Sequence, residues 1–269
     1  MKLLNGSELA SYIKERQAYQ VRALRQAHGV FPKLAIVQTI DDPVIDTYVR
    51  LKKRYGEDIL IDVDHHKIAQ AEAMEVIQRL NADPAVHGII VQLPLAEPSE
   101  TDALVNAVSP HKDVDALGEK PDFDPATPMA INWLLAGYNV TLANRKIAII
   151  GNGRLVGNPL ARMWRNSGYD VTVIDNSTSN MKEIIHESEI IVTAAGAPGI
   201  ITSDMLGPDR VVVDAATASE DGKIVGDVAD DVRDRHDLTI TPVKGGVGPL
   251  TVTALFDNVI RAARATIKD

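Results

Sequence analysis

The stretch Lys146-Ile-Ala-Ile-Ile-Gly-Asn-Gly-Arg-Leu-Val-Gly-Asn-Pro159 constrains this chain more than any other, because an apolar β-run stops at glycines and opens into a helix. Gly151 and Gly153 permit a tight turn and close approach of backbone to a ligand. The exposed amides and the positive dipole at the helix start suit a pyrophosphate. Asp170-Val-Thr-Val-Ile-Asp175 reads as the next strand, with a carboxylate at its end. An acid there accepts both ribose hydroxyls of NAD and repels the extra phosphate of NADP. The pattern is imperfect, since the third glycine is Gly157 rather than residue 156. A plain capping duty, shared with Asn176, Ser177 and Thr178, is the competing use for Asp175.

A length of 269 residues favours two domains, each large enough for its own core. The formal charge of -9 argues against a nucleic-acid or anionic-membrane surface. Zero cysteines exclude disulfides, thiol catalysis and thiolate metal sites. The N-terminus lacks the apolar core of a signal peptide, and no run reaches the roughly 18 apolar residues of a membrane span. A soluble cytoplasmic protein is the expectation.

Asn5 with Glu8 forms a capping-box pattern, and Leu9, Tyr12, Ile13, Val21 and Leu24 recur at helical spacing. A strand at 33–38, a helix from Pro43 toward Tyr55 stopping before Gly56, a strand at 58–63, a helix at 69–80 and a strand at 87–92 follow. Strands alternating with helices indicate a parallel α/β sheet. The texture changes to Pro, Gly and charged residues between Ser109 and Pro128, which marks a boundary near 125. Beyond it the pattern resumes as strands at 146–150, 170–175, 189–194, 211–214 and near 238–241, with a helix at 180–187. The glycine-rich Pro242 to Pro249 then leads into a helix from about Thr251 to Ile267. Charge-dense Asp227 to Asp237 reads as a solvated helix face, with Asp227 as a turn residue.

Tyr48 and Lys52 lie four apart on the second predicted helix and share a face. A lysine carries protons if burial lowers its pKa, and a neighbouring phenol can orient it; a snorkelling surface pair is the plainer alternative. Gln92 ends a parallel strand, where such sheets present ligand groups, although a strand-end amide could equally cap loop backbone. Asp113 and Asp115 alternate on an extended segment, so one could face substrate while the other caps a loop; spacing does not choose. His65 and His66 diverge on a strand and have no evident third ligand, so no metal is expected.

Taken in order, Tyr48-x-x-x-Lys52, Gly88-Ile-Ile-Val-Gln-Leu-Pro-Leu95, Pro110-His-Lys-Asp-Val-Asp115, Ala126-Thr-Pro128, the glycine turn and Gly245-Gly-Val-Gly-Pro-Leu-Thr251 make a recognisable whole. The chain resembles the bifunctional methylenetetrahydrofolate dehydrogenase/methenyltetrahydrofolate cyclohydrolase family across nearly its full length. The resemblance implies an α/β fold of two domains: a folate/catalytic domain at 1–125, completed by the returning C-terminal helix 251–269, and a Rossmann dinucleotide domain at 126–250. It implies a tetrahydrofolate-derived substrate and a homodimer. Lys52 is then the catalytic acid/base, Tyr48 positions it and the folate ring, Gln92 tunes it, and Asp115 binds the pterin. Leu93, Pro94, Gly246, Pro249 and Thr251 join the substrate wall. Gly151, Asn152, Gly153, Arg154, Val156, Gly157, Asp175, Asn176, Gly245 and Gly246 serve the cofactor, with NAD favoured over NADP.

The chain departs from the family pattern mainly on the folate side. Ala116-Leu-Gly-Glu-Lys-Pro121 leads almost directly to Ala126, without the usual Gly-Phe-His and its loop, and the segment after Lys52 is short. Lys244 replaces a proline, Asp214-Ala-Ala-Thr217 replaces Asp-Val-Gly-Ile, and Ile45 stands where serine is common. Two other readings therefore compete: a monofunctional NAD-dependent methylenetetrahydrofolate dehydrogenase, and a folate- or nucleotide-binding paralogue with little turnover.

Overall fold

The computed structural model describes residues 1–216, 218–220 and 223–267. Thr217 of the Asp214 motif and the last two residues of the expected C-terminal segment lie outside the described residues. In chain order the elements are β1 (Lys2–Leu3), α1 (Gly6–His28), β2 (Lys33–Gln38), α2 (Pro43–Asp58), β3 (Asp62–Lys67), α3 (Ala73–Ala82), β4 (Gly88–Val91), α4 (Thr101–Ala107) and α5 (Ala126–Gly137). Then come β5 (Lys146–Ile150), α6 (Gly157–Asn166), β6 (Asp170–Ile174), α7 (Met181–Glu187), β7 (Ile190–Thr193), β8 (Val211–Asp214), β9 (Ala218–Glu220), β10 (Lys223–Val225), α8 (Asp230–Arg233), β11 (Thr239–Ile240) and α9 (Val247–Arg264).

The chain divides into two compact units, Met1–Ala10 with Thr127–Thr251, and Ser11–Ala126 with Val252–Asp269. Spacing assigns the first ten residues to the N-terminal domain; the structure groups them with 127–251 instead. The reason is a short strand that the sequence does not advertise: β1 pairs in parallel with β11, and Leu4 N donates to Ile240 O at 2.9 Å.

In this first unit a six-stranded parallel sheet runs in the order β1-β11-β8-β7-β5-β6. Its middle strands are apolar on both faces because helices cover both, and Ala148, Ile191 and Val212 are fully buried. After β5 the chain winds outward to β6 and then returns to the other side as β7. Parallel sheets bind ligands at such a reversal, beyond the carboxyl ends of the strands.

The second unit holds a three-stranded parallel sheet in the order β3-β2-β4. Periodicity puts the second strand at 58–63, whereas the structure places β3 at Asp62–Lys67. The apolar Ile59 and Ile61 misdirect that reading: they fill the core beside the helix end, and the polar β3 is tolerated because it is a sheet edge. Likewise α2 does not stop before Gly56. A Cβ at Gly56 would lie 2.7 Å from Ile61 O and 2.6 Å from Val63, so the glycine allows the chain to double back closely rather than ending the helix.

Three devices position the residues of interest in this unit. Asp42 caps α2, accepting from Val44 N at 2.7 Å and Ile45 N at 3.0 Å, with Pro43 opening the helix as expected. Buried Lys112 donates to the carbonyls of Leu80, Asn81 and Asp83, which satisfies the C-terminal end of α3 and fixes the start of the Lys112-Asp-Val-Asp115 segment. From α9, Asn258 donates to Val114 O and Asp124 O, both at 2.9 Å, while Phe256 stacks on Tyr55 with ring centroids 4.9 Å apart. The start of α9 is earlier than spacing predicts, since Val247-Gly-Pro249 forms its first turn, where a proline costs no hydrogen bond. Among the described residues no helix is long and apolar enough to cross a membrane.

Candidate active site

A polar cluster of the second unit joins α2 to the end of β4, with the charge of Asp115 acting on it. Lys52 Nζ donates to Gln92 Oε1 at 2.7 Å. The Gln92 amide is oriented by its own donation to Leu93 O at 3.2 Å, which leaves its oxygen for the lysine. Burial pushes Lys52 below the ordinary lysine value, partly opposed by the charge of Asp115. Asp115 is pushed up by burial, and Lys52 opposes that in turn. Such a lysine gives up its proton at lower pH than an exposed one. Tyr48 lies one turn earlier on α2, half-buried, on the face that carries Lys52.

Geometry assigns the loop-capping role to Asp113. Asp113 accepts from Gly118 N at 2.8 Å and Leu117 N at 3.3 Å, so it caps the short loop, and burial raises its carboxyl to about 6. Asp115, two residues on, is the one that senses Lys52. Leu93 and Pro94, joined by a cis peptide bond, follow Gln92. Ile45 is buried in the core at the start of α2, and His65 Nε2 pairs with Gln38 Oε1 at 2.8 Å. Among the described residues no group of three His, Cys, Asp or Glu could hold a metal ion.

The other unit carries a cavity of about 720 Å³ beyond the ends of β5, β6 and β7, lined among others by Gly151, Asn152, Gly153, Asp175, Asn176, Ala194 and Ala195. Gly151 and Gly157 are required by contact. Gly151 has φ +96, and a Cβ there would lie 2.6 Å from Ala194 O. A Cβ on Gly157 would lie 1.8 Å from Gly151 O, so α6 starts against the turn itself. The displaced third glycine is thus a packing necessity of this turn. Gly153 has open space around it, as a backbone facing a phosphate would. Arg154 and Val156 lie in the turn before α6, outside the cavity lining.

Asp175 makes the local cap and also lines the cavity. Its Oδ1 accepts from Ser177 N at 3.0 Å and Ser177 Oγ at 2.6 Å, the expected local cap, and these bonds lower its pKa. Oδ1 also lies 3.5 Å from Thr178 Oγ1. Gly245 and Gly246 do not line that cavity. Gly245, at φ +84, accepts from Ser7 N at 2.9 Å through its carbonyl, and a Cβ on Gly6 would meet Gly246 O at 1.9 Å. Pro249 and Thr251 sit in the first turns of α9, where Thr251 Oγ1 is 3.4 Å from Thr127 Oγ1. These four belong to the unit of the cavity, whereas Tyr48, Lys52, Gln92, Leu93, Pro94 and Asp115 belong to the other. Lys244 is exposed.

One buried carboxylate escapes sequence reasoning. Asp227, expected at a turn beside a solvated helix face, is fully buried, and α8 occupies only Asp230–Arg233 of the charged run. A short Gly-Asp-Val context carries no signal of such burial.

A parallel sheet with a glycine cradle at its reversal point, together with a lysine–glutamine–aspartate cluster on a second sheet, defines a two-unit α/β enzyme of the dinucleotide-binding class. Residues 4–115 match the family model for the tetrahydrofolate dehydrogenase/cyclohydrolase catalytic domain, and residues 125–267 match that for its NAD(P)-binding domain. The chain belongs to the tetrahydrofolate dehydrogenase/cyclohydrolase family. It is 36% identical to the bifunctional protein FolD of Lactobacillus helveticus, over 98% of this chain and 98% of that one. The crystal structure of the bifunctional FolD methylenetetrahydrofolate dehydrogenase/cyclohydrolase from Campylobacter jejuni superposes with a TM-score of 0.92 at 34% identity, covering 98% of this chain and 99% of that one. The Trypanosoma brucei enzyme, solved with NADP and an inhibitor, gives a TM-score of 0.92 at 28% identity, covering 99% and 98%.

Proposed function

We propose that this enzyme oxidises 5,10-methylenetetrahydrofolate to 5,10-methenyltetrahydrofolate with NAD(P) and hydrolyses the product to 10-formyltetrahydrofolate. The observation that carries the reading is the 2.7 Å bond from Lys52, its pKa lowered by burial, to an oriented Gln92. When bound, the nicotinamide accepts the hydride that leaves the methylene carbon, so this step asks mainly for alignment. Hydrolysis asks for more, since water must lose a proton as it adds to the methenyl carbon and a ring nitrogen must gain one as the ring opens. Lys52 is suited to carry those protons, with Gln92 holding its amine and Asp115 setting its charge. Tyr48 completes the face presented to the folate ring. The glycine turn suits a pyrophosphate because Gly151 and Gly157 let its backbone and the start of α6 pack closely, while Gly153 lines the cavity with open space around its Cα.

The cofactor preference proposed is NAD over NADP. Asp175 is a carboxylate of lowered pKa that lines the cavity, where a 2′-hydroxyl would be accepted and a 2′-phosphate repelled. Hydride transfer from 5,10-methylenetetrahydrofolate, followed by nicotinamide absorbance, should favour NAD, and Asp175→Ser should shift the NAD/NADP ratio of kcat/KM toward NADP by about tenfold. A wild-type preference for NADP would remove this role from Asp175 and leave the reaction intact. Absence of reduction with either cofactor would reject the function. A homodimer, the habit implied by the family resemblance, predicts a sedimenting mass of twice 29.1 kDa; a monomer at micromolar concentration would contradict it.

A further inference from the structure

We propose that Asp227 is a positioning residue for the dinucleotide, an inference that rests on the cofactor reading above. Its carboxylate accepts three hydrogen bonds: from Thr193 Oγ1 at 2.5 Å and Ala195 N at 2.7 Å through Oδ2, and from Ala197 N at 2.7 Å through Oδ1. All three donors lie on the end of β7 and the turn that follows it. Ala194 and Ala195 of that turn form one wall of the dinucleotide cavity, and Gly151 packs against them so closely that a Cβ would lie 2.9 Å from Ala195 Cα. A shift of the turn therefore moves both a wall of the cavity and the first glycine of the phosphate cradle.

Asp227 is itself held from behind. Its backbone N donates to Asp214 Oδ1 at 3.2 Å, Val228 N donates to Asp214 Oδ2 at 3.2 Å, and Arg233 pairs with that same oxygen at 3.3 Å. Arg233 also donates to Thr241 O. The cavity wall thus hangs on a chain of buried polar contacts, Arg233 to Asp214 to the 227–228 backbone to the Asp227 carboxylate to the 195–197 turn. Each oxygen in it has a donor, and three donors converge on one carboxylate. An amide cannot replace that carboxylate: either orientation of an asparagine turns an NH2 toward a backbone N–H, leaving one buried donor unsatisfied.

The test titrates NADH and NADPH fluorescence against wild-type, Asp227→Asn and Thr193→Val proteins, and measures methenyltetrahydrofolate hydrolysis, which needs no nicotinamide, in parallel. Asp227→Asn should raise the Kd of both nucleotides by about tenfold, and Thr193→Val, which removes one donor without burying a new one, by about threefold. Hydrolysis should persist in both. If Asp227→Asn does not fold, Thr193→Val alone decides. Wild-type binding with unchanged Kd in the folded variants would overturn the inference and leave the proposed function standing. Equal loss of hydrolysis and nucleotide affinity would mark a merely structural carboxylate and would also overturn it. A wild-type protein that binds neither nucleotide would reject the cofactor reading, and this inference with it.

Discussion

Lys52→Met is expected to abolish methenyltetrahydrofolate hydrolysis, by about 10²–10⁴-fold, while hydride transfer from methylenetetrahydrofolate survives within about tenfold. The asymmetry follows from what each step requires. Methionine keeps the length and apolar stem of the lysine, so α2 and its packing remain, but it carries no proton and cannot donate to Gln92. The pH dependence gives a second reading of the same group. Burial lowers the Lys52 pKa from the ordinary 10.5, so the neutral amine is populated at lower pH than for an exposed lysine. Hydrolysis that needs this amine as a base rises with pH through that lowered pKa and levels off above it. Single-turnover absorbance of the methenyl chromophore against pH measures it. Unchanged hydrolysis in Lys52→Met would remove the lysine from the chemistry, and loss of both activities together would return it to a substrate-binding or structural duty.

Gly157→Ala should have the opposite selectivity. Its methyl carbon would stand 1.8 Å from Gly151 O and 2.8 Å from Gly151 C, contacts with backbone that no rotamer change relieves. Relief requires α6 to withdraw from the turn, and overpacking of this kind costs about 1–3 kcal/mol. If that strain is released in the apo protein by opening the cradle, nucleotide affinity falls by roughly ten- to a hundredfold, because the amides no longer converge. Methenyl hydrolysis, whose proton-handling candidates Lys52, Gln92 and Asp115 belong to the other unit, should continue. Calorimetric titration with NAD and NADP, alongside the hydrolysis assay, distinguishes the outcomes; undiminished affinity would mean that the pyrophosphate does not use this turn.

The parts of the fold carried by local periodicity were readable. The glycine turn, the alternation of strands and helices, and the parallel sheet of each unit all depend on apolar spacing and on Gly or Pro at fixed offsets. The pairing of Lys52 with Gln92 was not readable from spacing, since forty residues separate them; the family resemblance supplied it and the coordinates place them in contact. What escaped were features set by partners distant in sequence. β1 is a strand only because β11 lies beside it. β3 is polar because it is an edge, and Asp227 is buried because a turn 30 residues earlier supplies its donors. The role of Gly56 was misread as a stop because a glycine needed for close approach and one that ends a helix look the same in one dimension.

The division of the chain carries a consequence for how the protein is made. Neither unit is continuous in sequence, for the first needs residues 1–10 and the second needs those after 251. On the ribosome, the helix bearing Lys52 is synthesised early, yet Phe256 and Asn258, which stack on Tyr55 and hold Val114 and Asp124, arrive more than a hundred residues later. The lysine-bearing half therefore waits, incompletely covered, while the nucleotide half emerges and folds between its two pieces. Its birth order is that of an insertion: the nucleotide half can close first, and the half that carries the lysine is sealed only once α9 has emerged.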